Sequence, residues 1–165
     1  MKEIKYNRQK TIEYANKWAF SRNPKYYNFD NIGGDCTSFV SQCIYAGSGT
    51  MNYIKEKGWY YINGNNKSPS WSGVEFLYKF LINNKSVGPY AKKTNQDEVQ
   101  LGDIAQLSFD GNKFGHTLVI VGIDNHYSLS GINIASHTLD SYNKPISEYN
   151  FKDIRFAHIE GVRQY

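Results

Sequence analysis

Between Thr11 and Phe20 the apolar residues Ile12, Ala15, Trp18 and Ala19 recur at helical spacing, and the run stops before Asn23-Pro24. A polar and aromatic loop from Ser21 to Gly34 follows. After Asp35-Cys36, the residues Phe39, Val40, Cys43 and Ile44 repeat at three and four, and Gly47 is expected to end this second helix. Ser48 to Trp71 mixes Gly, Asn, Ser and Pro with Trp59, Tyr60 and Tyr61, which predicts a long irregular loop. Ser72 stands three residues before Glu75, a capping-box spacing, and Val74, Leu77, Phe80 and Leu81 carry a third helix to Asn83. A second loop is expected over Lys85 to Gln100.

The period then shortens. Asp103 to Phe109, His116 to Asp124, Ile132 to His137 and Ile154 to Ile159 read as four strands. Asp110-Gly111 marks a hairpin between the first two, and Asp124 to Gly131 a longer turn between the second and third. Thr138 to Asp153 carries no regular period. Helices first and an antiparallel meander afterwards predict an α+β domain with the N-terminal helices packed on one face of the sheet.

Composition narrows the partners. The 165 residues suit one compact domain over 1–165, and an aromatic share of 16% argues for a packed core. The longest apolar stretch, Leu118 to Ile123, is far short of the roughly 20 residues that cross a bilayer, so no membrane span is expected. Met1 to Lys10 is basic but leads into no apolar core, so it does not read as a secretory signal. The net charge of +4 comes from scattered Lys and Arg, without a phosphate-tracking stripe, and nucleic acid is not an expected partner. No internal repeat is visible, and the chain is expected to act as a monomer.

Cys36 and Cys43 are the two cysteines, too few for a disulfide framework and wrongly spaced for a CxxC pair. Cys36 follows Gly33-Gly34-Asp35 in the first turn of helix two, where free backbone amides and a nearby imidazolium would favour a thiolate. Cys43 falls mid-helix on the apolar face and reads as core. Among the histidines, His116 opens the most apolar strand and suits a general base, whereas His126 falls in a turn and His158 alternates with apolar neighbours. A turn centred near Tyr127 and Ser128 would place His137 to Asp140 opposite His116. His137, with Asp140 as the alternative, is therefore the expected third member that orients the base.

These residues resemble a known family. Asp35-Cys36-Thr37-Ser38-Phe39-Val40-Ser41-Gln42-Cys43 resembles the nucleophile motif of the bacterial putative amidase domain, a papain-like group related to NlpC-type and CHAP cell-wall hydrolases. Asn23-Pro24 with Tyr26 and Tyr27, Ser70-Trp71-Ser72-Gly73, Leu101-Gly102-Asp103-Ile104, Gly115-His116, and Ser136-His137-Thr138-Leu139-Asp140 resemble it in the same order. Position 38 is Ser where that family often has Asn. The resemblance implies a papain-like fold and a cysteine hydrolase with Cys36 as nucleophile and His116 as base. It implies an acyl-enzyme, and cleavage of amide bonds in peptidoglycan or a similar peptide substrate outside the cytoplasm. No cofactor and no metal enter this chemistry.

The oxyanion is expected against the Cys36 backbone N–H and a donor from Asn28 to Gly34, with Trp59, Tyr60, Tyr61 and Trp71 lining a groove. Two other classes compete: a papain-like acyltransferase, in which an amine replaces water, and a non-catalytic wall-binding module. A zinc site on His116 and His137 is the weakest reading, because no ligand pair has the HExxH spacing.

Overall fold

The computed structural model describes residues 1–165. β1 (Lys2–Ile4) leads into α1 (Arg8–Trp18), and α2 (Cys36–Ser48) follows the loop after α1. A small hairpin, β2 (Tyr61–Asn63) and β3 (Asn66–Lys67), precedes α3 (Pro69–Ser72) and α4 (Val74–Asn83). The remaining strands are β4 (Gly88–Thr94), β5 (Ile104–Ser108), β6 (His116–Ile123), β7 (Ile132–Ser136), β8 (Ser141–Pro145) and β9 (Asp153–Gln164). No helix is long and apolar enough to cross a membrane.

The architecture is α+β, with one antiparallel sheet of seven strands. β5, β6, β7 and β8 pair in succession. β9 returns to pair with β5 along one edge and β4 along the other, and β1 adds to its far end. The expected meander therefore closes differently: the last strand crosses back to β5.

Alternation along β6 divides the core into two layers. Val119 and Val121 join Phe39, Val40, Cys43 and Ile44 of α2 with Ala135, Ala157 and Ile159 on the helical face. Leu118 and Ile120 face the other way, with Leu107, Ile132, Ile134 and Phe156, under Val99 and Ile146.

Helix boundaries differ from the periodic reading for identifiable reasons. α1 begins at Arg8 because the side chain of Asn7 accepts the Lys10 N–H at 3.0 Å. α2 runs through Gly47 and ends at Gly49, whose φ of 63° provides the left-handed stop. Gly47 instead permits close packing of α1: a Cβ there would lie 2.1 Å from Thr11 Oγ1. The predicted third helix is α4, Val74–Asn83, but its cap position is the extended Gly73, and Ser72 ends α3 instead of capping it.

Strand β4 lies inside the expected loop 85–100. Pro89, Lys92 and Lys93 hide it in the sequence, yet all are tolerated on an edge strand. β8 occupies part of the stretch without a period, and β2, β3 and the Asn52–Trp59 bridge order the expected irregular loop.

Candidate active site

The loop before α2 turns through Gly33 and Gly34, with φ of 82° and 96°, and delivers Asp35 to the N-cap position. An N-cap aspartate ordinarily accepts a helix amide. Asp35 does not: its Oδ1 accepts the Phe29 N–H at 2.9 Å, and its Oδ2 lies 2.6 Å from His137 Nδ1. The first amides of α2 therefore have no side-chain cap, and the positive end of the helix dipole is left to Cys36 and to whatever approaches it.

Cys36 is 8% exposed. Its sulfur lies 3.8 Å from Thr37 Oγ1. Beneath it Thr37 Oγ1 meets Thr117 Oγ1 at 2.8 Å, and Gln106 Nε2 donates to Thr117 Oγ1, which locks the start of α2 onto β5 and β6. Burial pushes the Cys36 thiol up from its ordinary value. The hydrogen bonds from Thr117 and Thr37 oppose the rise, and the adjacent Asp35 charge adds to it. Burial thus works against the expected thiolate, which the helix start alone would favour.

His116 is the first residue of β6, and its ring lies between Phe109 and Tyr149, with centroids 6.2 and 5.6 Å away. Its Nε2 is 3.0 Å from Ser136 Oγ. The Ser136 hydroxyl donates to the His137 carbonyl at 2.7 Å, so its oxygen accepts at His116 and the imidazole proton sits on Nε2. Nδ1 is left as the basic nitrogen. Burial lowers His116 from 6.5 to about 4, and Lys144 acts in the same direction. The sulfur and the imidazole are not hydrogen-bonded to each other at rest. The elements that carry them meet one residue further on, through the Thr37 and Thr117 hydroxyls.

The expected orienters lie elsewhere. Both ring nitrogens of His137 are engaged, Nδ1 by Asp35 and Nε2 by the Trp18 carbonyl at 2.7 Å, and the ring stacks on Phe39 at 3.9 Å. Asp140 receives two N–H groups of Arg22, at 2.9 and 3.0 Å. Ser136 holds the place beside His116 instead. A register shift between Ile120 and Gly122 moves the β6 and β7 pairing by one residue, and one residue reverses which face a side chain takes. His137 accordingly faces α1 and α2, while Ser136 faces His116. The one sequence signal for it is Gly122, a glycine inside an apolar strand run, which marks a bulge without giving the direction of the shift.

Other expectations resolve as packing. Cys43 is fully buried in the helical layer. His158 bonds Asp103 at 2.8 Å, and His126 meets the Val99 carbonyl at 2.9 Å. Trp59, Tyr60 and Trp71 are buried rather than lining a groove: Trp59 Nε1 donates to Ser41 Oγ, which donates to the Trp71 carbonyl, so they are fixed under α2. The largest described cavity, about 550 Å³, is lined by residues including Arg8, Ile12, Leu101 and His126, away from Cys36. The turn at Thr138 approaches the loop that leads into Cys36. Thr138 Oγ1 lies 3.4 Å from the Cβ position of Gly34.

No solved structure matches this chain. The chain is similar to the uncharacterized protein YhbB of Bacillus subtilis (strain 168), at 30% identity over 123 residues. That stretch is 73% of this chain and 39% of the relative, so the chain spans well under half of the relative's length. The family described as "Putative amidase domain", whose name denotes amide hydrolysis, matches residues 5–159. With nearly its whole length matched, the chain belongs to that family.

Proposed function

We propose that the protein is a papain-like cysteine amidase in which Cys36 attacks an amide carbonyl and His116 moves the protons. One observation carries this reading. Cys36 opens the uncapped α2, and the next residue, Thr37, is hydrogen-bonded at 2.8 Å to Thr117, the residue after the buried imidazole of His116.

As the sulfur attacks, its proton passes to Nδ1 of His116. The C–S bond forms and the carbonyl pair moves to oxygen, where the amides at the start of α2, that of Cys36 among them, stabilise the oxyanion. The His116 imidazolium then protonates the leaving amine, the C–N bond breaks, and a thioester remains. Water attacks the thioester with His116 again as base, releasing the acid and restoring the thiol. Ser136 acts as a positioning residue that keeps the proton on Nε2 and the lone pair on Nδ1. A neutral pair at rest suits this route, since the ion pair forms only as the sulfur attacks.

The proposed substrate is peptidoglycan or a related peptide-bearing polymer outside the cytoplasm. The +4 charge favours an anionic polymer, an attraction that salt would weaken. The peptide would lie across the loops at 28–34 and 138–140, where Ile32 and Leu139 are exposed apolar contacts. The test is to incubate the protein with sacculi, soluble muropeptides and plain peptides, with Cys36→Ala as control, and to identify new amine termini by mass spectrometry. Cys36-dependent cleavage of wall material supports the assignment. Cleavage of plain peptides alone would discard the wall substrate and leave the cysteine mechanism standing.

A further inference from the structure

Two buried ionisable side chains beside the nucleophile have no step in this mechanism. Asp35, the residue before Cys36, meets His137 at 2.6 Å, and each side chain is 1% exposed. The opposite ring nitrogen of His137 lies 2.7 Å from the Trp18 carbonyl, which can only accept, so Nε2 carries a proton. Nδ1 faces a carboxylate that already accepts the Phe29 N–H through Oδ1, with Arg22 Nε 3.8 Å from Oδ2. Both neighbours favour an ionised Asp35, which then requires a proton on Nδ1 as well.

The surrounding charges agree. Arg22 is shared among three carboxylates: Asp30, Asp140 and, at longer range, Asp35. Asp30 is held below its ordinary value in spite of partial burial, by the Arg22 guanidinium. The remaining ionisable groups at this place are Cys36 and the Tyr14 hydroxyl, which the Asp35 charge also reaches. The parallel stack of His137 on Phe39 at 3.9 Å gives a cationic ring a favourable face.

We propose that His137 is a buried imidazolium whose function is to neutralise Asp35, the residue before Cys36. It is a positioning and charge-balancing residue, distinct from the base. The inference rests on Cys36 as the nucleophile. Asp35 shapes the loop by turning to Phe29 and away from the helix amides, but its charge opposes a sulfur anion. His137 cancels that charge and, through Phe39 and Trp18, ties the start of α2 to the end of α1.

The experiment is ¹⁵N NMR of the histidine rings in the full chain at pH 7, with the pH dependence of Cys36 alkylation by iodoacetamide as the functional readout. Two ring N–H protons on His137, and no pyridine-type nitrogen, are expected. In His137→Gln the alkylation midpoint should rise by about one unit, roughly tenfold slower reaction at a fixed pH below it, and Asp35→Asn/His137→Gln should bring it back. A merely structural role would not produce that reversal. A singly protonated His137 ring in the wild type overturns the proposal even where the variants fail to fold, and so does an unmoved midpoint in folded His137→Gln. Amide turnover by Cys36→Ala, measured separately, bears on the nucleophile alone: retained turnover there would remove Cys36 without altering the protonation found at His137.

Discussion

Ser136 Oγ lies 3.0 Å from Nε2 of His116, and because its own proton goes to the His137 carbonyl, the serine oxygen fixes which imidazole nitrogen is basic. Ser136→Ala removes that acceptor from a buried N–H. A hydrogen bond of this kind is worth about 1–3 kcal/mol, so kcat/KM should fall roughly 10- to 100-fold with KM little changed. His116→Ala should lose turnover altogether, and His126→Ala should retain it. Parallel steady-state kinetics on the three variants test the order; an unimpaired Ser136→Ala would leave the orienting role without support.

Burial of His116 makes both activity and stability depend on acid. With the imidazole lowered to about 4, the acid limb of kcat/KM should fall near pH 4 instead of near 6.5. The unfolded chain takes up the proton first as pH falls. The stabilisation is therefore complete above pH 6.5 and is lost between 6.5 and about 4, amounting to about 3 kcal/mol. Urea unfolding of the wild type and His116→Gln across this range should show the variant losing less stability; parallel curves would contradict the assignment.

Alkylation should report the protonated thiol. Cys36 is expected to react slowly with iodoacetamide at pH 6–7 and faster as pH rises beyond the ordinary thiol range, because burial holds its proton. Cys43, fully buried in the core, should react more slowly at every pH. Mass mapping of the two peptides measures this, and rapid Cys36 labelling at pH 6 would mean that a thiolate is stored after all.

Asp103 holds the N-terminal region to the sheet. Its buried carboxylate accepts from Arg8 at 2.7 Å, from the Gln100 and Ile159 N–H groups at 2.8 and 3.0 Å, and from His158 at 2.8 Å. Asp103→Ala should destabilise the fold by about 3–5 kcal/mol, since it leaves two amides without their acceptor and takes the carboxylate from a guanidinium that keeps only the Leu101 and Ile159 carbonyls. Chemical denaturation checks the magnitude.

What the sequence made legible follows from what its patterns encode. Period 3.6 around Phe39, Val40, Cys43 and Ile44 located α2, and the apolar run after His116 located β6, because both elements bury a full layer. The pairing of Cys36 with the start of β6 was visible from those two elements. β4 was not: its Lys92 and Lys93 are compatible with strand only because the edge faces water. Ser136 stayed hidden for another reason. Register across a long turn depends on a bulge between Ile120 and Gly122, and without it the pattern points to His137. The resting protonation of Cys36 also required the structure, since the Asp35 carboxylate could have capped the helix and instead turned toward His137.

The central claim is that Cys36 forms the covalent intermediate, and amide turnover by Cys36→Ala beside the wild type tests it most directly. On a substrate that the wild type cleaves, with folding confirmed by circular dichroism, the variant should lose more than about 10⁴-fold in kcat and form no hydroxylamine-sensitive adduct on the peptide carrying position 36. Turnover retained within tenfold of wild type would contradict the account.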